Sequence, residues 1–97
     1  MNKHSRKVKV TKHAEKRLHE RAEELVKRYP SIPILAQSAR YNGKCIYELN
    51  DEEYAYYNRH IYAHNKNDMI ILFKGVWFVF AGNHGHHRTL ITVFTYK

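Results

Sequence analysis

Only one cysteine, Cys45, stands among the 97 residues, so no internal disulfide can form and a disulfide-stapled secreted fold is excluded. Proline is nearly as scarce: Pro30 and Pro33 fall together, and they mark the stop of a helical stretch. Long hydrophobic runs are missing too. The longest, Met69 to Ala81, is broken by Lys74-Gly75 and is too short to cross a bilayer. The opening MNKHSRKVKV carries charge without an apolar stretch and does not read as a secretory leader. No glycine-rich phosphate loop or dinucleotide fingerprint occurs, so no organic cofactor is expected. These absences lead to the expectation of one cytoplasmic domain over residues 1–97, without membrane association, whose residues 1–10 form a basic arm.

Acidic side chains are the remaining shortage. Seventeen Lys and Arg face nine Asp and Glu, for a formal charge of +8. The excess is uneven, since residues 1–28 hold ten basic and four acidic side chains. A basic segment of this kind attracts a polyanion through an interaction that weakens with salt. The partner expected is a nucleic acid, RNA before DNA, with Lys7, Lys9, Lys12, Arg59, His86 and His87 as candidate contacts.

Thr11 reads as an N-cap, and Lys12 to Tyr29 runs without Gly or Pro. Within it Ala14, Leu18, Ala22, Leu25, Val26 and Tyr29 recur at helical spacing and make one apolar stripe. A short strand is expected at Val8–Val10. Ile34 to Arg40 reads either as a second helix or as an irregular connection. After the Asn42-Gly43 turn signal the pattern predicts strands: Lys44–Leu49, the Tyr-rich run to His64, Met69–Phe73, Val76–Ala81 and Thr89–Tyr96. Asp51-Glu52-Glu53 reads as a loop or helical turn. Lys74-Gly75 predicts a tight hairpin, whose two apolar strands are placed in the middle of the sheet. The expected fold is α+β, with one or two N-terminal helices packed on a four- to five-stranded antiparallel sheet.

Three patterns carry candidate chemistry. His13, Arg17 and Arg21 step by four and lie above one another on a helix. A histidine with two guanidinium groups suits phosphodiester cleavage, which needs proton transfer and cations to hold the phosphorane charge. The same residues also suit a solvated face on which Arg17 and Arg21 pair with Glu15, Glu20 or Glu24. In the last strand, alternation puts Arg88, Leu90, Thr92, Phe94 and Tyr96 on one face. Thr92 then offers a hydroxyl to phosphate and Tyr96 a ring for a base, although an edge strand favours the same residue types. The third pattern is Asn83-His84-Gly85-His86-His87, in which His84 and His86 could reach one zinc ion but match no standard metal spacing. No metal site is assigned, and the histidines are weighed as phosphate contacts, catalytic candidates or a polar loop. Tyr54, Tyr56, Tyr57 and Tyr62, near Arg59 and His60, suggest a stacking surface for single-stranded bases.

The segment Thr11-Lys12-His13-Ala14-Glu15-Lys16-Arg17-Leu18-His19-Glu20-Arg21-Ala22 resembles the opening helix of RelE-like proteins in the barnase–EndoU–colicin–RelE superfamily. The closing Arg88-Thr89-Leu90-Ile91-Thr92-Val93 resembles their last strand. The resemblance covers both ends of the chain and not the stretch from Pro30 to Asn67. It implies a toxin-type, metal-independent endoribonuclease acting on RNA, either free or ribosome-associated, with an antitoxin or host protein as partner. On this reading His13 is the general acid or base, Arg17 and Arg21 clamp the phosphate, and Thr92 and Tyr96 support from the sheet, with Arg88 alongside. The alternative is a non-catalytic phage- or plasmid-type module that binds nucleic acid or inhibits a host protein. The residue patterns assign no oligomeric state.

Overall fold

The computed structural model describes residues 8–81 and 89–96. Thr11 caps the first helix as its pattern predicts: its Oγ1 accepts the Ala14 N–H at 3.0 Å, and α1 runs Lys12–Arg21 with Ala14 and Leu18 buried. The expected single helix to Tyr29 breaks at Ala22 (φ −142°, ψ 40°), and a short α2 follows at Glu23–Val26. No Gly or Pro marks that break, so helix propensity alone does not reveal it. Leu25 is nonetheless buried, and the stripe stays on the core. Pro33 does not end a helix but sits in the first turn of α3, Ile32–Asn42, where its missing N–H has no helical partner to lose. Leu35, Ala36 and Ala39 form the buried face of α3.

The two strands expected at Lys44–Leu49 and in the Tyr-rich run to His64 are instead largely helical, while Asp51-Glu52-Glu53 is the helical turn that was one of its two readings. Only Lys44 pairs with a strand, exchanging two backbone hydrogen bonds with Leu72 (2.8 and 2.9 Å) before a 3₁₀ turn at Ile46–Glu48. The Tyr-rich run forms α4, Asp51–His60. Its start is a capping box: Asn50 Oδ1 accepts the Glu53 N–H at 2.8 Å, and the Glu53 carboxylate accepts the Asn50 N–H at 2.9 Å. Three acidic residues in its first turn and Arg59 and His60 in its last complement the helix dipole. Capping and charge placement outweigh the β-propensity of the tyrosines.

β2 (Met69–Phe73) and β3 (Val76–Phe80) form the predicted hairpin, and β4 (Thr89–Thr95) follows. A two-residue strand β1, Lys9–Val10, confirms the strand expected at Val8–Val10 and pairs with Thr89 and Leu90. That pairing is parallel, so the four-stranded sheet is mixed, in the order β1-β4-β3-β2, and not antiparallel throughout. β2 also lies at an edge, not in the middle. Its apolar character comes from cover on both faces. One face of the sheet packs α1, α2 and α3 against Ile71, Phe73, Phe78, Phe80, Leu90 and Val93. The other packs Tyr57 and Ile61 of the α4 segment on Ile70, Leu72, Trp77 and Val79. Strands buried on two sides lose the alternation of a half-exposed sheet and read as continuous apolar runs. Among the described residues, no helix is long and apolar enough to cross a membrane.

Candidate functional site

An irregularity in β4 decides which of its side chains share a face. Phe80 pairs with Leu90 while Val79 pairs with Thr92, so Ile91 is an extra residue between them. Leu90 and Val93 consequently face α1, whereas Phe94 and Tyr96 pack on the α4 side. The expected common face of Leu90, Thr92, Phe94 and Tyr96 is therefore split. Thr92, opposite Val79, lies on the α4 face.

The α1 residues divide in the same way. His13 is exposed in the first turn, and Arg17 pairs with Glu20 at 2.7 Å, the solvated-face arrangement. Hydrogen bonding to Arg17 holds the Glu20 carboxyl below its ordinary range. Only Arg21, eight residues and about 12 Å along the helix from His13, reaches the strand. One Nη–H donates to the Val93 carbonyl at 2.9 Å, and its guanidinium lies 5.6 Å from the Phe94 ring centre. Since β1 pairs only with Thr89 and Leu90, the remainder of that β4 edge has no strand beside it among the described residues. Arg21 satisfies one of its carbonyls. A guanidinium has five N–H donors, so this bond leaves donors for a ligand.

Beyond Arg21 the fold builds a groove of about 350 Å³ lined by Arg21, Arg28 and Lys74 and, among the described residues, by one carboxylate, Glu24, with Thr95 and Tyr96 also on the wall. The three cations come from α1, the turn after α2 and the β2–β3 hairpin. Among the described residues neither Arg28 nor Lys74 has a carboxylate partner, and Lys74 Nζ lies 5.4 Å from the Phe73 ring centre. Lys74 occupies the hairpin turn at φ +50°, with Gly75 at φ +79°. A turn with both central residues left-handed favours Asn-Gly, and a lysine there costs about 1 kcal/mol. That strain places a cation on the groove where local structure prefers another residue.

Tyr96 also lines a second groove, of about 310 Å³, with Glu52, Ala55, Tyr56, Arg59 and His60. Its backbone N–H is tied to the Gly75 carbonyl at 3.0 Å, and its ring meets Tyr56 at 4.9 Å and Trp77 at 5.6 Å. Desolvation, reinforced by the charges of Glu52 and Glu53, pushes the Tyr96 phenol above its ordinary range. At neutral pH it is thus a hydrogen-bond donor and ring surface, not a phenolate base.

The predicted residues are therefore not gathered into one constellation. Arg21 and Tyr96 share a groove, and Arg59 joins Tyr96 in the second. His13 and Thr92 line neither groove, while Lys9 and Lys12 are exposed near the start of α1. Lys7, Arg88, His86, His87 and the remaining histidine-loop position His84 lie outside the described residues. Arg28 and Lys74 were not legible as site residues: no pattern singled out Arg28, and Lys74 read as a turn residue. No family model, curated protein or solved structure matches the chain.

Proposed function

We propose that the chain is a nucleic-acid-binding module that holds the phosphates of RNA in the groove between α2, the β2–β3 turn and the end of β4. The observation that carries this reading is the convergence of Arg21, Arg28 and Lys74, from separate elements, on one groove that only one carboxylate, Glu24, lines among the described residues. Arginine presents a planar fork to phosphate oxygens and lysine a point charge, so together they suit a flexible phosphodiester backbone. The overall charge of +8 adds long-range attraction to a polyanion.

One observation keeps the RelE-like endoribonuclease as a second reading. Arg21 of the opening helix and Tyr96 of the closing strand line the same groove, so the two ends of the chain that carry the resemblance lie on one side of the molecule. Binding is preferred because His13, the general acid or base of that reading, is exposed and does not line it. The two are separated by incubating labelled total RNA with the protein in EDTA, beside His13→Ala. Salt-sensitive retention on a filter without cleavage is the expected result. Cleavage that is lost in a folded His13→Ala protein would replace binding with catalysis.

A further inference from the structure

The two grooves differ in chemistry although Tyr96 lines both. The first presents three cations against one carboxylate. The second is lined by one cation, Arg59, and one carboxylate, Glu52, together with Ala55 and the rings of Tyr56, His60 and Tyr96. A phosphate gains little from such a neutral, ring-lined groove. An unpaired nucleobase gains stacking surface from the rings and hydrogen-bond groups of both polarities from Arg59 and Glu52.

We infer that the groove formed by Tyr56, His60 and Tyr96 is a base-stacking subsite, and that the ligand is single-stranded RNA, with a phosphate in the basic groove and a neighbouring base in this one. The inference rests on the reading of the basic groove as a phosphate site. Tyr56 and His60 are one helical turn apart on α4, and their rings stand 4.5 Å apart. Tyr56 is held from beneath by a parallel stack on Trp77 at 6.0 Å, and its hydroxyl donates to the Thr95 carbonyl at 3.3 Å. This wall is set before a ligand arrives, so little ordering is required on binding. Base and phosphate project from different sides of the sugar, which matches two grooves with one tyrosine between them. A base paired in a duplex has its ring faces stacked within the helix and cannot enter.

The test uses a short labelled oligouridylate, the same strand annealed to its complement, and inorganic polyphosphate as a polyanion without bases. The wild-type protein should bind the single strand more tightly than the duplex. His60→Ala and Tyr56→Leu should each lose about five- to 100-fold on the single strand, the loss expected from one base–aromatic stack, while polyphosphate binding stays unchanged. His60 is exposed, so its variant tests the subsite even if Tyr56→Leu is unfolded. Trp77, the sole tryptophan, adds a direct readout: its fluorescence should respond to oligouridylate and not to polyphosphate. Equal binding of single strand and duplex, or unchanged single-strand affinity in folded His60→Ala, overturns the subsite while leaving the basic groove intact. Failure of the wild-type protein to bind either RNA or polyphosphate overturns the phosphate reading and the subsite together.

Discussion

Replacing Arg21 by methionine separates what this residue does for the fold from what it does for a ligand. Methionine keeps the aliphatic reach of the stem and removes the guanidinium. The loss comprises a charged hydrogen bond to Val93 O at 2.9 Å and a cation–ring contact with Phe94 at 5.6 Å. A hydrogen bond to a charged group contributes about 1.5–3 kcal/mol, and Arg21 is exposed, so the lower end applies. The ring contact adds about 0.5 kcal/mol at such a site. The expected destabilisation is about 2 kcal/mol, which for a domain of this size lowers Tm by roughly 10 °C. Arg21→Lys should recover only part of it, because a lysine lacks the fork that reaches a carbonyl and a ring together. Urea unfolding followed by Trp77 fluorescence measures the change, and RNA binding is then compared well below each melting point. An Arg21→Met protein within about 0.5 kcal/mol of wild type would show that Arg21 does not hold the open edge of β4.

Further outcomes follow from other contacts. Lys74→Asn places a residue suited to the left-handed turn and removes a cation, so stability should rise by a few tenths of a kcal/mol while RNA affinity falls; a gain in both would remove Lys74 from the site. Gly43→Ala should be severe, at about 3 kcal/mol or more, because the new Cβ would strike Ile71 Cγ2 and sit 2.8 Å from Ala39 O and 3.0 Å from Leu72 O; a cost under about 1 kcal/mol in urea unfolding would contradict this packing. The Glu53 carboxyl is held below its ordinary range by the Asn50 N–H and then by Lys44. Its contribution is thus present above the unfolded value of 4.5 and lost as pH falls through the lowered folded value. Glu53→Gln should cost about 1 kcal/mol at neutral pH, a difference that shrinks in acid; a pH-independent difference in urea midpoints would mean the carboxylate is not what secures α4.

How far these features were readable from residues depends on the range of the forces that set them. The Lys74-Gly75 hairpin and the Thr11 cap arise from local geometry, and both are where the sequence places them. α4 was also locally encoded, by Asn50 with Glu53 three residues on, but the tyrosines of high β-propensity obscured that signal. The extra residue at Ile91 was not readable, because strict alternation is the default for a strand and only pairing with β3 displaces it. The helical spacing of His13, Arg17 and Arg21 was correct, yet spacing does not say which end of a helix meets a strand edge. Arg28 and Lys74 are far apart in sequence and become neighbours only through the packing of α2 beside the hairpin turn.

The most direct test of the central claim is the salt dependence of single-stranded RNA affinity for the wild-type protein and for Arg28→Gln/Lys74→Gln. Neither side chain forms an ion pair among the described residues, so the fold should tolerate both changes. If the two cations neutralise phosphates, the double variant should bind more weakly, and its slope of log affinity against log salt should be shallower by about 1.4. An unchanged affinity and slope in a folded double variant would contradict the account.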